Sequence, residues 1–140
     1  MNIQTRPDPV ARARELGAEI DAAASEIERT RRIPEPLLSH LHDSRLFRML
    51  LPRAAGGDET DPMVYVAALE ELAQHDGSLA WNTFTSNSSA LIAAFLEPAA
   101  NHAIFGDPRG ALREASATNS ASIARAMPSA TPATPAAYRP

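Results

Sequence analysis

The chain of 140 residues has no cysteine and no lysine, and its aromatics amount to one Trp, two Tyr and four Phe. Without cysteine, disulfides and thiolate metal sites are excluded. All thirteen basic residues are Arg, a pattern that fits a GC-rich coding bias. They are spread along the chain and form no basic stripe of the kind nucleic-acid binding requires. No apolar run follows the charges of MNIQTRPDPVARARELG, so neither a signal peptide nor a membrane anchor is expected, and a cytoplasmic location is the default. With 44% hydrophobic residues and a net charge of -4, the composition is that of a soluble chain with room for one domain.

Charge is also missing from one internal stretch. Between Gly77 and Leu96 there is no ionisable side chain, although Ser78, Asn82, Thr83, Thr85, Ser86, Asn87, Ser88 and Ser89 are polar. Such a helix is too polar to span a bilayer and too poor in charge to face bulk water. On a 3.6 period Ala80, Phe84, Ser88, Leu91 and Phe95 fall on one stripe with Trp81 and Ile92 beside it, and this is the expected core face. Ser78, Asn82, Thr85, Ser86 and Ser89 form a second, polar stripe. Its hydroxyls either line a cleft for an uncharged or flat ligand or bond back to carbonyls one turn earlier.

Taken in order, the chain predicts an all-α fold, a small bundle of about five helices. Asp8 and Pro9 start a first helix running to about Thr30, with Val10, Leu16, Ile20, Ala24 and Ile27 inward and Arg12, Glu15, Glu19, Asp21 and Glu26 on a solvated face. A short helix begins at Pro34 or Glu35 and buries Leu37, Leu38, Leu41 and Leu46. Gly56 and Gly57 mark a sharp connection. Asp61 caps a helix with Pro62 in its first position, buried through Val66, Leu69 and Ala73 and edged by Met63 and Tyr65, ending at His75. After the central helix, PAANHAIF forms a last short one before Gly106 and Pro108. Ala, Pro, Ser and Thr make up 21 of the last 30 residues, so residues 111–140 are expected to be a disordered, low-complexity tail behind a domain of residues 1–110.

Several chemistries find no support. His40 and His42 would point roughly 160° apart on a helix and cannot share a metal from one face. Glu71 and His75 do not repeat the Glu-x-x-His spacing of bundle di-iron sites. Gly56 and Gly57 have neither the lysine nor the spacing of a phosphate loop, and no serine sits in a nucleophile elbow. No catalytic residue and no metal site is assigned.

The order RRIPEPLLSHLHDSRLFRMLLPRAAGG, then DPMVYVAALEELAQHDGSLAW, then an alanine-rich helix and FGDPRG resembles the N-terminal helical domain of the acyl-CoA dehydrogenase superfamily over about residues 10 to 110. Within it, the chain is most similar to the branch that includes flavin-dependent monooxygenases of aromatic or sulfur compounds. The resemblance implies a helical N-terminal domain, a middle β domain and a C-terminal four-helix bundle, with FAD or reduced FMN between the last two. The N-terminal domain then closes one wall of the substrate pocket. Carried over by position, Trp81, Asn82, Thr85 and Ser89 would face substrate or the flavin edge, Trp81 serving otherwise as a core aromatic. Arg53, Gly56 and Gly57 would abut the middle domain or form an ordinary surface turn.

Residues 111–140 depart from that family pattern, since they carry no strand periodicity where strands are implied. An altered reading frame after about Gly110 in a GC-rich gene would give such an Ala, Arg, Pro and Ser mixture. The chain is therefore expected to be a truncated, inactive piece of a flavin-dependent oxidoreductase that binds no flavin alone and meets a small-molecule substrate only in a complete enzyme. The alternative is a free-standing helical interaction module. Homo-oligomerisation or association through uncovered apolar faces is a further expectation, with no nucleic-acid or membrane partner.

Overall fold

Asp8 accepts a hydrogen bond from the Val10 N–H and Pro9 occupies the first helical position, so α1 (Pro9–Glu15) starts where its capping residues place it. The computed structural model describes residues 8–109, all of whose regular structure is helical. The proposed tail and the boundary at residue 110 lie outside the described residues. The first helix does not run unbroken to Thr30. It stops at Leu16, and α2 (Gly17–Thr30) begins directly after it. Gly17 permits the break to be packed: a Cβ there would stand 2.5 Å from His75 Nε2, so the imidazole lies where a side chain would be. The step lets Ile20 and Ile27 of α2 join the same core as Ala13 of α1.

α3 (Leu37–Asp43) starts later than its prolines suggest and buries Leu37 and Leu41, while Leu38 is only partly covered. The chain then makes a single 3-10 turn at Leu46–Arg48 and sends Leu46, Phe47, Met49 and Leu51 inward. Each such side chain contributes about 1.5–3 kcal/mol when fully buried. The following loop folds back on this segment: the N–H groups of Asp58, Thr60 and Glu59 donate to the carbonyls of Arg48, Met49 and Leu51 at 3.0, 2.7 and 3.1 Å. The two glycines serve different needs. Gly56 takes φ +82, which L side chains adopt at a cost, and a Cβ on Gly57 would sit 1.8 Å from the Leu51 carbonyl oxygen.

α4 (Pro62–His75) is capped by Asp61 through the Met63 N–H at 2.8 Å. It is the central element, packed against α1, α2 and α5. Asp76 caps α5 (Gly77–Ala90), which tightens into a 3-10 stretch at Leu91–Phe95. α6 (Pro98–Phe105) follows, and Asn101 Nδ2 closes the turn by donating to Ala93 O at 2.8 Å. An Arg14–Glu71 ion pair and hydrogen-bond contacts of His40 Nδ1 with Glu19 and His75 Nδ1 with Asp21 stitch the outside.

Three expectations are corrected. Arg12 does not face water but is 8% exposed, because its guanidinium reaches Asp58 at 3.1 Å and the Ser44 carbonyl. On α4 it is Tyr65, Ala68 and Leu72 that are buried, whereas Val66 and Ala73 are exposed. On α5 only Ala80 of the expected core stripe is buried, with Ser88 half-buried. Leu79, Ala80, Thr83, Asn87 and Ala90 are buried, and Trp81, Phe84, Leu91, Ile92 and Phe95 are exposed.

Candidate functional site

α5 buries its small and polar residues because α4 and the 46–50 segment supply partners for them. Thr83 Oγ1 bonds back to Leu79 O at 2.9 Å, which removes its hydroxyl from solvent without leaving a donor unpaired. Asn87 is fully buried and spans two elements. Its Nδ2 donates to Leu46 O at 2.8 Å and Thr83 O at 2.9 Å, and its Oδ1 accepts from Leu50 N–H at 3.0 Å. Tyr65 of α4 completes the contact by donating to Phe84 O at 3.3 Å. Its burial pushes the phenol pKa above the usual value, with a Ser88 hydrogen bond opposing. These bonds fix the rotation of α5, and with it the residues that remain outside.

The outer face holds the four sequence-predicted site residues together. Trp81 is 64% exposed, Asn82 and Ser89 are exposed, and Thr85 is half-buried. Their spacing of one, four and eight places them along one side of the helix. Thr85 Oγ1 donates to Asn82 O at 3.0 Å, the back-bonding alternative for that hydroxyl, and leaves its oxygen lone pairs outward. The Trp81 and Phe84 rings lie 5.5 Å apart at 32°. Leu91, Ile92 and Phe95 continue the apolar surface toward the C-terminal end, Phe95 being 88% exposed. No ionisable group occurs on this helix or its 3-10 extension, and Arg31 and Arg32 share a cleft with its Ser78 and Asn82. The face can offer shape, an aromatic platform and a few neutral hydrogen-bonding groups.

Sequence reasoning missed Asn87 as the clamp that orients the face. The available signal was the 79–80–83–87–90 set, which is also helically spaced but, apart from Leu79, made of small and polar residues. It also missed the Arg12, Arg45 and Asp58 cluster, in which Arg45 Nε holds Asp58 at 2.7 Å from the side opposite Arg12. No sequence spacing signals a pairing between residues 46 positions apart. Among the described residues no group of three or more His, Asp or Glu side chains could hold a metal, and no helix is long and apolar enough to cross a membrane.

Comparison with known proteins adds to this geometry. Residues 10–103 match the family model described as acyl-CoA dehydrogenase, N-terminal domain. A stretch of 58 residues is 36% identical to the oxygenase subunit HsaA of a flavin-dependent monooxygenase from Rhodococcus jostii (strain RHA1), covering 41% of this chain and 15% of that relative. The aligned part is thus a small share of the relative's length. The helical order, the Asp61 and Asp76 caps and a family match that spans most of the chain together place this protein in the acyl-CoA dehydrogenase family, through its N-terminal domain.

Proposed function

We propose that residues 8–109 form one wall of the substrate and flavin pocket of a flavin-dependent oxidoreductase, a dehydrogenase or a monooxygenase, and that the chain alone is inactive. The observation that carries this reading is the outer face of α5, an uncharged helix surface with Trp81, Phe84 and Phe95 in water. Contiguous exposed apolar area of this kind marks a surface that is covered in use. The residues fit one side of a flat ring system: the indole of Trp81 packs on a planar group, while Asn82 and Ser89 offer neutral donors and acceptors at its edge. They do not by themselves enclose a flavin, although Arg31 and Arg32 share a cleft with Ser78 and Asn82.

The flavin, FAD or reduced FMN, supplies the redox chemistry when bound. The part left to this chain is to orient the substrate and exclude water, since α5 carries no ionisable side chain. Support for the monooxygenase branch comes from the HsaA oxygenase subunit, to which the chain is similar over a limited stretch.

The single tryptophan makes the reading testable. The purified chain mixed with FAD or FMN is expected to retain no flavin and to show a helical, association-prone fold with a broad melt. Translation of the DNA beyond codon 110 in the other two frames is expected to reveal a β domain. In a protein joined to that domain, Trp81 emission should be quenched on flavin binding and Trp81→Ala should raise the substrate KM. Trp81 remaining solvent-exposed in the flavin-loaded protein would refute the assignment. A sharp melt with a defined protein complex would instead support the interaction module, for which the same exposed face is the relevant feature.

A further inference from the structure

Arg48, in the 46–51 segment, is only 5% exposed, yet no carboxylate of the described residues lies within ion-pair distance of it. Its Nη1 donates to Asp107 O at 3.1 Å, and its Nη2 donates to Phe105 O at 2.6 Å and Ala55 O at 3.3 Å. These partners are neutral carbonyls, and Nε is buried without one. Asp58 and Asp107 act on the guanidinium only through space, and Asp58 is already held by Arg12 and Arg45. Burial lowers the Arg48 pKa, and the Arg45 charge lowers it further. Buried charges in proteins are ordinarily paired, because an uncompensated one is costly.

Arg48 also lines a cleft of about 360 Å³ between the 45–56 segment and α6. Arg45 and His102 face the same space, no Asp or Glu among the described residues does, and Pro98 and Phe105 supply an apolar side. In a chain with net charge -4, a cleft walled by two arginines and a histidine is locally basic, even with Arg45 also paired to Asp58. Asn101 Oδ1, in the same wall, is a second buried polar atom without a partner.

We propose that this cleft binds a phosphate-class oxyanion, with Arg48 and Arg45 supplying the opposing charge and His102 closing the rim. The space exceeds that of one phosphate, so the anion can be free or carried by a small ester resting on Phe105 and Pro98. The assignment does not depend on the α5 face, which lies on other residues.

The test is to titrate the whole 140-residue chain with inorganic phosphate, by calorimetry and thermal melting, against sodium chloride of equal ionic strength. Saturable binding with Kd of about 1 mM or below is expected, together with a melting temperature raised by phosphate but not by chloride. His102→Ala, at an exposed position with no side-chain bond to lose, should weaken binding severalfold. Arg32→Gln, an exposed arginine outside this cleft, should leave it unchanged. Glycerol 3-phosphate binding more tightly than inorganic phosphate would identify an ester as the ligand type, and the reverse order the free ion. A response that chloride reproduces, that does not saturate, or that H102A leaves intact overturns the proposal.

Discussion

Replacing Asn87 by leucine keeps the side-chain volume and removes every polar bond that holds α5 to the 46–50 segment. The Leu50 N–H then loses its acceptor at 3.0 Å and the Leu46 carbonyl loses its donor at 2.8 Å. The Thr83 carbonyl loses less, because it keeps its place in the helix ladder. An orphaned buried group costs about 1–3 kcal/mol. The Leu46 bond is buried and the Leu50 bond part-buried, so two orphans amount to about 3 kcal/mol after some relief from water. A domain of this size has a total stability of about 5–15 kcal/mol, so the loss is a large share. Urea unfolding followed by far-UV circular dichroism measures it, and amide exchange at Leu50 reports the bond itself. A loss below about 1 kcal/mol with the Leu50 amide still protected would show that Asn87 does not clamp the helix as argued.

The two loop glycines should differ in their response to alanine. Gly57→Ala drives a Cβ into the Leu51 carbonyl, which is backbone and cannot yield cheaply, and should cost about 2 kcal/mol or more. Gly56→Ala meets only the left-handed backbone penalty of about 1 kcal/mol, and paired denaturant melts would rank them. Asp58→Ala leaves Arg12 and Arg45 facing each other, with Arg12 nearly buried. A loss of about 3 kcal/mol is expected, changing little between low and moderate salt because the pair is shielded from screening ions. His42 is half-buried against the Phe47 ring at 5.6 Å, and burial, aided by Arg109, lowers its pKa below the usual 6.5. The unfolded chain therefore takes up a proton near pH 6.5 that the folded chain resists. Its contribution is present above that pH and lost below it. His42→Gln should flatten the fall in melting temperature just below pH 6.5, and an unchanged slope would contradict the assignment.

The elements whose ends are fixed locally were legible in the sequence. Asp8 with Pro9, Asp61 with Pro62, and the Glu97–Pro98 start of α6 each carry their own stop or start chemistry, and the structure uses each at the expected residue. The break at Leu16 was not legible. Gly17 costs too little in a helix to announce an end, and the reason for it lies on His75, far along the chain. Arg12 was assigned to water by the same local logic, since the carboxylate that draws it inward is on a distant loop. Asn82, Thr85 and Ser89 lie along one side of α5 as the 3.6 period places them, and Trp81, expected beside the core stripe, lies exposed next to them. Which side faces the core needs the partner.

That inversion of α5 follows from two physical terms in opposition. Burying Trp81, Phe84, Leu91 and Phe95 would remove more apolar area from water than burying Ala80, Thr83, Asn87 and Ala90. The observed rotation therefore wins on closeness and pairing. Small residues let α5 approach α4 and the 46–50 segment, and Asn87 satisfies backbone groups at Leu46 and Leu50 that the turn there leaves without helix partners. The large residues are consequently presented outward as a set, with their orientation held by Asn87 and Tyr65 rather than by their own burial. If that is the design, Asn87→Leu should change the surface as well as the stability: once α5 is free to roll, Trp81 should turn inward and its emission shift to the blue while the helix content is retained. Unchanged Trp81 emission in a folded N87L variant would mean that packing of the small residues alone sets the rotation, and the clamp would then be a stabilising bond without control of the face.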